Sequence, residues 1–304
     1  MSFRSGFVTL LGRPNTGKST LLNQLVGAKV AIVSPHPQTT RTRLQGVLTR
    51  DKAQIVFVDT PGIHRPRSRL NEQMMKSVRE ALAGVDLLTL MVDASRPLNE
   101  EDDMALELVA RFPGPSFLLL NKIDLIEKPA LLPLMDRLRQ RHNFREIIPL
   151  SALTGENCDR LEKAIVENLP EGPLYFPADT LTDQPVRFLA AEIVREHVFC
   201  QTRDEVPYST AVVVEKFEEP EVAAGSSPAR PLTRIHAIIL VDREGQKGIL
   251  IGAQGQRLKK IGEAARKELE DLLETRVYLE LFVKTRADWR QQADVERLID
   301  WRHD

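Results

Sequence analysis

Residues 12–19 have the types and spacing of a loop that binds phosphate groups. Their sequence, Gly-Arg-Pro-Asn-Thr-Gly-Lys-Ser, fits the pattern G-x-x-x-x-G-K-[ST] and follows an apolar run at 7–11. Glycine lets successive backbone N–H groups turn toward phosphate oxygens, and a following helix adds its positive N-terminal end. Lys18 can then reach the β- and γ-phosphates, and the Ser19 hydroxyl can ligate Mg²⁺. The stretch predicts a P-loop between a strand and a helix.

We expect the whole loop and the residue that follows it to contact a nucleoside triphosphate. The predicted contacts are Gly12, Arg13, Pro14, Asn15, Thr16, Gly17, Lys18, Ser19 and Thr20. Lys18 is also a candidate catalytic residue, because its charge can offset the charge that develops on the transferred phosphoryl group.

A polar segment at 34–41, broken by two prolines, follows the predicted P-loop helix. Proline cannot continue a helix, so a loop is expected here. In a nucleotide switch, a threonine of this loop binds Mg²⁺ and senses the γ-phosphate. Thr39 and Thr40 can both do so, and the pattern favours Thr40 as a metal ligand and a catalytic residue. The alternative is an ordinary Ser/Thr turn.

The segment Asp59-Thr60-Pro61-Gly62 directly follows an apolar run at 54–58, about 40 residues after Lys18. A carboxylate at the end of a strand near the phosphates can hold a metal ion through water, which makes Asp59 the third candidate Mg²⁺ ligand with Ser19 and Thr40. Gly62 leaves a backbone N–H free for the γ-phosphate, and we expect it to be catalytic. Thr60 and Pro61 are expected to line the nucleotide.

The position after Gly62 is Ile63, where enzymes of the Ras type have a glutamine that orients the attacking water. Isoleucine cannot donate or accept a hydrogen bond. Intrinsic hydrolysis should therefore be slow unless a K⁺ ion, another side chain or a partner supplies the missing group. The nearby His64 could act as a base, but a lone histidine of a loop is more often solvated, and we expect His64 to be solvated.

A second set of polar residues, Asn121-Lys122-Ile123-Asp124, follows the apolar run at 116–120. The Asn121 amide can bond the edge of a purine, and the stem of Lys122 can pack over its plane. Asp124 can accept from two N–H groups of guanine, whereas adenine presents a lone pair there, and such a mismatch gives discrimination of about 10⁴ or more. The predicted base is guanine, with Ser151 and Ala152 near its O6 atom.

The composition fits a protein with two domains and without a membrane span. The chain has 304 residues, with 42 Lys plus Arg against 43 Asp plus Glu, so a nucleic-acid surface must come from local clustering. Cys158 and Cys200 lie far apart, which favours a reduced, cytoplasmic setting. No apolar segment approaches the length of a signal peptide core or a spanning helix, while peripheral membrane contact stays open.

Apolar runs at 85–93, 116–120 and 146–150 alternate with helical patterns at about 99–111 and 157–169. Strands that are apolar throughout, with helices between them, predict a mostly parallel sheet with helices on both faces. We expect this α/β domain at 1–172, an irregular linker at 173–184, and a second domain at 185–304.

The second half predicts a helix from 185, strands at 208–217 and 233–241, and a last strand at 275–283. Between the last two strands, Gly252 and Gly255 form a G-x-x-G turn between two helices. Residues 247–267 carry six basic residues against one acid, a local charge of +5. A glycine turn beside cations suits a single-stranded sugar-phosphate backbone. The predicted RNA contacts are Lys247, Gly252, Ala253, Gln254, Gly255, Arg257, Lys259 and Lys260.

Two further segments have no predicted chemistry. Residues 218–230 are rich in Glu, Pro, Ala, Gly and Ser, which is typical of a flexible hairpin loop. The tail at 288–301 has the pattern of a capping helix, and its two tryptophans are expected to pack and not to stack on bases.

The motifs of residues 1–170 resemble the translation-factor-like small GTPases, and the second half resembles a type II KH domain, the bacterial kind. In this order the two halves resemble the Era-type family of bacterial GTPases over essentially the whole chain. The resemblance implies a P-loop NTPase G domain plus a smaller α+β KH domain, with GTP or GDP and Mg²⁺ as cofactors. It also implies a K⁺ ion at Asn15.

The resemblance further implies the partners of the protein. They are the 3′ region of 16S rRNA and the 30S subunit during its maturation, with GTP favouring the RNA-binding arrangement. It also implies a monomer in the cytoplasm with peripheral association with the inner membrane surface. Three alternatives stay open from the residues alone: an ATP-driven RNA-remodelling enzyme, a KH scaffold with little GTP turnover, and a GTPase that acts on another RNA or at the membrane.

Overall fold

The computed structural model describes residues 2–34, 36, 39–64, 69–220 and 231–291. These form two compact units, one of residues 1–33 and 37–183 and one of residues 34–36 and 184–304. Gln38, most of the predicted hairpin loop and the main part of the predicted capping helix, including Trp301, lie outside the described residues.

The first unit contains one sheet of six strands with five helices assigned among the described residues. The elements in chain order are β1 (Arg4–Leu11), α1 (Lys18–Val26), β2 (Leu44–Arg50), β3 (Ala53–Asp59), α2 (Arg69–Ala81), β4 (Leu87–Asp93), α3 (Glu100–Ala110), β5 (Ser116–Asn121), α4 (Leu131–Arg139), β6 (Glu146–Leu150) and α5 (Cys158–Asn168). The strand order is β2-β3-β1-β4-β5-β6, with β2 antiparallel to β3 and the other neighbours parallel. The predicted mostly parallel sheet is confirmed.

The central strands are buried along their whole length because both faces of the sheet are covered. Every residue of β3, β4 and β5 is buried. One apolar cluster packs around Leu21, Phe57 and Ile165, and a second packs around Val78, Leu90 and Val109. The continuous apolar runs seen in the sequence are therefore explained by helices on both sides of the sheet. This arrangement brings the carboxyl ends of β1, β3, β4 and β5 to one edge.

Strand β2 is the one strand for which the sequence pattern gave no range. Its outer edge is covered by part of the predicted linker, since Val47 N donates to Leu181 O at 2.8 Å and Thr182 Oγ1 donates to Gln45 O at 2.7 Å. The side chain of Gln54 also binds the backbone of this segment. The segment up to residue 183 thus has ordered contacts with the first unit.

The second unit is a three-stranded sheet covered by helices on one face. Its elements are α6 (Val186–Gln201), β7 (Ala211–Glu218), β8 (Leu232–Val241), α7 (Glu244–Ile251), α8 (Gln256–Leu273) and β9 (Arg276–Thr285). Strand β8 lies in the centre, antiparallel to β7 and parallel to β9. The order α-β-β-α-α-β is the one that the sequence predicts.

The core of the second unit forms between the helices and alternate residues of the strands. Val194, Ile239, Ile261 and Leu269 are fully buried in it. Trp289 is also fully buried and donates its indole N–H to Ser209 O at 2.9 Å, so it packs as predicted. Among the described residues, no helix is both long and apolar enough to cross a membrane.

Candidate nucleotide-binding site and RNA-binding surface

Lys18 lies at the first position of α1, where the P-loop ends. Its ammonium donates to Gly12 O and Arg13 O, both at 3.1 Å, and the residue is buried. Burial lowers the pKa of Lys18 to about 8, although the nearby Asp59 and Glu101 carboxylates act in the opposite direction. The lysine therefore lies inside the loop, at the place that its predicted role requires.

Gly17 allows the P-loop to approach the end of β5. It has φ 102°, and a Cβ atom there would lie 2.3 Å from the side-chain nitrogen of Asn121. The same nitrogen donates to Thr16 O at 2.6 Å. A side chain at position 17 would displace this hydrogen bond, so glycine is required by both conformation and space.

Three oxygen-bearing side chains from separate segments meet beside Lys18. Ser19 Oγ donates to Asp59 Oδ2 at 2.7 Å and lies 2.9 Å from Thr40 Oγ1, which is 3.4 Å from the same carboxylate oxygen. Asp59 is fully buried, and burial raises its pKa, opposed by Lys18 and by these hydroxyls. Of the two threonines that the sequence leaves open, Thr40 is the one that contacts Ser19 and Asp59.

The other carboxylate oxygen of Asp59, Oδ1, is buried and has no hydrogen-bond partner among the described residues. A buried carboxylate oxygen without a partner is costly, and a metal-bound water would satisfy it. No group of three or more His, Cys, Asp or Glu side chains in the described part of the chain could hold a metal ion. One carboxylate with two hydroxyls instead suits Mg²⁺, which completes its shell with water and phosphate oxygens.

The segment after Asp59 packs directly against the P-loop. Ile63 N donates to Gly12 O at 3.0 Å, and a Cβ atom on Gly62 would lie 2.6 Å from Pro14 N. The Ile63 side chain is fully buried in an apolar cluster. It therefore acts as a core residue and offers no polar group where Ras-type enzymes have glutamine.

The expectation that His64 is solvated is wrong. His64 is 5% exposed, and its Nδ1 lies 2.7 Å from Gly62 O. Because a carbonyl can only accept, Nδ1 carries the proton in this contact. Nε2 is buried and has no partner among the described residues. The ring thus holds the Gly62–Ile63 peptide by its carbonyl, while Gly12 holds the same peptide by its N–H.

Asn121 links three segments at the end of β5. Its amide donates to Thr16 O at 2.6 Å, and its Oδ1 accepts from Ala152 N at 2.9 Å. Ser151 is fully buried beside it, whereas Asp124 is exposed in the following turn. Asn121 and Ala152 are therefore joined beside the P-loop, and Asp124 is exposed.

Two acidic residues of the site have no place in the motifs. The Asp93 carboxylate lies 2.7 Å from Lys122 Nζ, and the Asp102 carboxylate lies 3.2 Å from Arg13 Nε. Asp102 also accepts from Asn99 N at 3.0 Å and so completes the cap of α3. The Arg13 side chain thus turns toward α3. Asp93 could have been noticed, because it ends a strand at the same sheet edge as Asp59.

The G-x-x-G turn of the second unit connects α7 and α8 as predicted. Gly252 and Gly255 have φ 70° and 76°, and Gln254 adopts the left-handed conformation with φ 51°. Ala253 and Gln254 are exposed at the tip. The Arg257 guanidinium donates to Ile249 O and so binds the end of α7. The turn presents its backbone to solvent between two helices.

The cations around the turn are partly paired with acids. Lys247 lies 3.7 Å from Glu244, Lys259 lies 3.8 Å from Glu263, and Arg266 lies 3.7 Å from Glu270. Glu244 and Glu270 lie outside residues 247–267, over which the net charge of +5 was counted. The net charge around the turn is therefore lower than the sequence count indicates. Exposed pairs contribute only about 0–1 kcal/mol, and these cations can exchange a carboxylate for a phosphate.

The chain is similar in sequence to characterised families along both units. Residues 7–122 match the family described as 50S ribosome-binding GTPase, and residues 205–290 match the KH domain family. The protein called GTPase Era from Geobacter metallireducens is 51% identical over 98% of this chain and 96% of its own length. The GTPase Era of Syntrophus aciditrophicus is 50% identical over 97% of this chain and 94% of its own length.

Solved structures of Era proteins have the same fold. A variant of Aquifex aeolicus Era bound to GDP and AlF4⁻ superposes with a TM-score of 0.90 at 42% identity and covers 98% of this chain and 99% of its own. An Era protein in complex with MgGDPNP and nucleotides 1506–1542 of 16S ribosomal RNA gives the same TM-score, identity and coverage. With the P-loop, the guanine-type motif and the KH turn assembled as described, the chain belongs to the Era family of GTPases.

Proposed function

We propose that this protein is a slow, Mg²⁺-dependent GTPase whose nucleotide state controls its binding to the 3′ region of 16S rRNA during 30S subunit assembly. The observation that carries this proposal is the convergence of the four nucleotide motifs on the P-loop, next in sequence to a KH domain with an exposed G-x-x-G turn. The Era complex that contains both MgGDPNP and 16S rRNA nucleotides supports the pairing of nucleotide binding with RNA binding in one chain.

For the nucleotide, we propose that the loop backbone from Gly12 to Thr20 surrounds the phosphates. Lys18 would leave its two carbonyl partners for the β- and γ-phosphates, since a charged phosphate is the stronger acceptor. Arg13 would contribute through its backbone, because its side chain pairs with Asp102. Thr60 and Pro61 are buried, and Thr60 Oγ1 donates to Leu10 O at 2.8 Å, near the end of β1 where the loop begins. Gly62 would offer its N–H to the γ-phosphate.

For the metal, we propose that Ser19, Thr40 and Asp59 hold Mg²⁺, with Asp59 acting through water. Their mutual hydrogen bonds and the unpartnered Asp59 Oδ1 support this set. When bound, Mg²⁺ would supply positive charge that offsets the charge developing in phosphoryl transfer. The complex of a relative with MgGDPNP supports both the metal and the guanine nucleotide.

For the base, we propose that Asp124 pairs with the two N–H groups of guanine, and that Ser151 and Ala152 bring backbone N–H groups to O6. Ala152 N donates to Asn121 Oδ1 and Ser151 N donates to Glu156 O, so both residues lie beside the base-binding amide. Each N–H would exchange its present acceptor for O6 when guanine binds. Competition of ATP against labelled GDP tests this assignment. ATP should fail to displace the labelled GDP, whereas it would displace it from an ATP-driven remodelling enzyme.

Hydrolysis is expected to be slow without a further ion or partner. Ile63 is buried in the core and offers no polar group that could orient a water molecule. We propose that K⁺ binds at Asn15, an exposed P-loop residue with φ 63°. Replacing K⁺ by Na⁺ should lower the GTPase rate, and Asn15→Ala should remove the difference between the two ions.

For the RNA, we propose that the backbone of Gly252–Gly255 contacts sugar-phosphate and that Lys247, Arg257, Lys259 and Lys260 contact phosphates. The family name for residues 7–122 mentions the 50S subunit, but the relative that shares the KH domain binds 16S rRNA. We therefore favour the small subunit. The protein would act as a monomer in the cytoplasm, with peripheral association with the inner membrane surface.

The test is the affinity for an oligonucleotide of the 16S 3′ end, measured by calorimetry with GDP and with a non-hydrolysable GTP analogue. We expect tighter binding with the analogue, and a scrambled oligonucleotide as control should bind weakly in both states. Identical affinity in the two states would overturn the proposed control by nucleotide.

A scaffold with little turnover is the second candidate, and the buried Ile63 favours it. GTP turnover measured with and without K⁺, and with and without the oligonucleotide, separates the two. Turnover that stays at the uncatalysed level under all four conditions would favour the scaffold.

A further inference from the structure

We infer that Asp93 is a positioning residue of the guanine site, which holds the Lys122 side chain ready to cover the face of the base. The inference rests on the proposed function, since it gives a supporting partner to a proposed base-binding residue. None of the nucleotide motifs includes Asp93.

The two residues are neighbours at the ends of adjacent strands. In the parallel pairing of β4 and β5, Asp93 is in register with Asn121, the residue before Lys122. Asp93 Oδ2 lies 2.7 Å from Lys122 Nζ, and the two side chains are 3% and 28% exposed. A close pair with one buried partner is screened far less than a surface pair. The contact can therefore fix the long lysine side chain.

The Asp93 carboxylate is itself held in place. Its Oδ1 accepts from Ser95 N at 3.0 Å and from Ser95 Oγ at 2.6 Å, which leaves Oδ2 for the lysine. Burial raises the pKa of Asp93, but the bonds from Lys122 and Ser95 outweigh burial and leave the pKa below its usual value. Asp93 is thus ionised at neutral pH, with Oδ1 bound to Ser95 and Oδ2 bound to Lys122.

The backbone of Lys122 is constrained as well. It has φ 68°, a left-handed conformation that a residue with a side chain rarely adopts. With the backbone set by the turn at 123–125 and the ammonium set by Asp93, both ends of the four-carbon stem are fixed. A free lysine side chain loses rotamer entropy when it is ordered. Here that loss occurs on folding, before any base arrives.

The nearby Arg96 does not replace this contact. Its Nε lies 4.0 Å from Asp93 Oδ2, and its side chain is 68% exposed. An exposed pair at that distance contributes little. Lys122 is therefore the main partner of Asp93 Oδ2.

The role predicts a pattern that differs from that of Asp124. The lysine stem covers the ring face, which guanine and hypoxanthine share, whereas Asp124 would read the 2-amino group that hypoxanthine lacks. Loss of Asp93 should weaken the binding of guanine and hypoxanthine nucleotides by the same factor. Loss of Asp124 should change the ratio of their dissociation constants.

The experiment measures dissociation constants of GDP and IDP by calorimetry on the full chain. Asp93→Asn keeps an oxygen for Ser95 and loses the charge, and we expect about tenfold weaker binding of both nucleotides with an unchanged ratio. Asp103→Asn is the matched control, because that carboxylate pairs with Arg141 at the surface. Binding of both nucleotides within about twofold of wild type would overturn the inference.

Two further variants separate positioning from folding. In a Lys122→Met background, Asp93→Asn should not weaken GDP binding further, whereas a purely structural Asp93 would still weaken it. Ser95→Ala keeps the ion pair and the bond from the backbone N–H of residue 95, but it removes the hydroxyl that donates to Asp93 Oδ1, so a smaller loss of GDP affinity is expected. This variant provides the test if Asp93→Asn folds poorly. If Asp124→Asn leaves the ratio of the GDP and IDP dissociation constants unchanged, the proposed guanine site is wrong. If Asp124→Asn changes this ratio but Asp93→Asn leaves both affinities unchanged, the guanine site is retained and only the role of Asp93 is wrong.

Discussion

The side-chain nitrogen of Asn121 donates a 2.6 Å hydrogen bond to the carbonyl oxygen of Thr16, so the end of β5 is joined to the P-loop. The same side chain accepts from Ala152 N. Phosphate-binding and base-binding segments are therefore connected through one buried amide. A change in either segment is transmitted to the other through this residue.

Asn121→Asp is expected to destabilise the first unit by about 2 kcal/mol or more, because two oxygens would face each other where the amide now donates. Chemical denaturation of the nucleotide-free protein measures the change in the free energy of unfolding. Asn168→Asp is a matched control, since that amide donates to Ala164 O in a half-exposed position. An equal and small effect of both changes would contradict the buried bridge.

Lys18→Ala is expected to reduce GTP and GDP affinity by about 100-fold or more, because the phosphates lose the charge inside the loop. Lys128→Ala is the control, as this lysine is 84% exposed and pairs with Glu156 at the surface. Fluorescence titration with a labelled GDP compares the variants. Unchanged affinity of Lys18→Ala would refute the role of this residue.

The low pKa of Lys18 predicts a dependence of stability on pH. Its pKa is about 8 in the folded protein against an ordinary 10.5, so between these values the unfolded chain binds the proton and the folded chain does not. Unfolding takes up a proton there, and this group makes the folded state more stable as pH rises. Lys18→Met lacks this contribution. Denaturation of both nucleotide-free proteins measures their free energies of unfolding at about pH 7 and about pH 10. The free energy of unfolding of the wild type should rise relative to that of the variant between these two pH values.

His64→Ala is expected to lower kcat for GTP hydrolysis by about tenfold, because the Gly62–Ile63 peptide loses the donor that fixes its carbonyl. KM should change little, since the phosphate-binding loop keeps its own contacts. His64→Asn places an amide N–H near the position of Nδ1 and should retain most of the rate. Equal losses in the two variants would argue that the ring acts by filling space and not by its hydrogen bond.

Replacing Ala253 and Gln254 together with Asp is expected to weaken binding of the 16S oligonucleotide at about 0.15 M salt, because two negative charges would face the phosphates. Both residues are exposed, and Asp tolerates the left-handed conformation at position 254. The neutral pair Ala253→Ser and Gln254→Asn is the control and should bind as wild type. Equal binding by the Asp pair would count against the turn as the RNA contact.

Local patterns were sufficient to predict the two folds and the main groups of the nucleotide site. Lys18, Asp59 and Asn121 each end a strand or begin a helix within a motif, so their positions follow from chain order and from the sheet edge. The KH turn follows in the same way from two glycines between helical patterns.

Contacts between distant segments could not be predicted in this way. The cover of β2 by residues 173–183 depends on pairing across more than a hundred residues, and neither segment has a strong pattern of its own. The burial of His64 depends on the surrounding fold, whereas its sequence neighbourhood suggests an exposed loop. Asp93 and Asp102 act through partners that lie close only after folding.

The double role of Asp102 couples the side chain of a P-loop residue to the beginning of α3. One carboxylate pairs with Arg13 and also closes the first turn of α3, where the amides of Glu101 and Asp102 donate to Asn99. Any ligand that displaces Arg13 would therefore loosen the beginning of a helix some ninety residues away in sequence. Faster hydrogen exchange at the amides of Glu101 and Asp102 would record the loss of this ion pair.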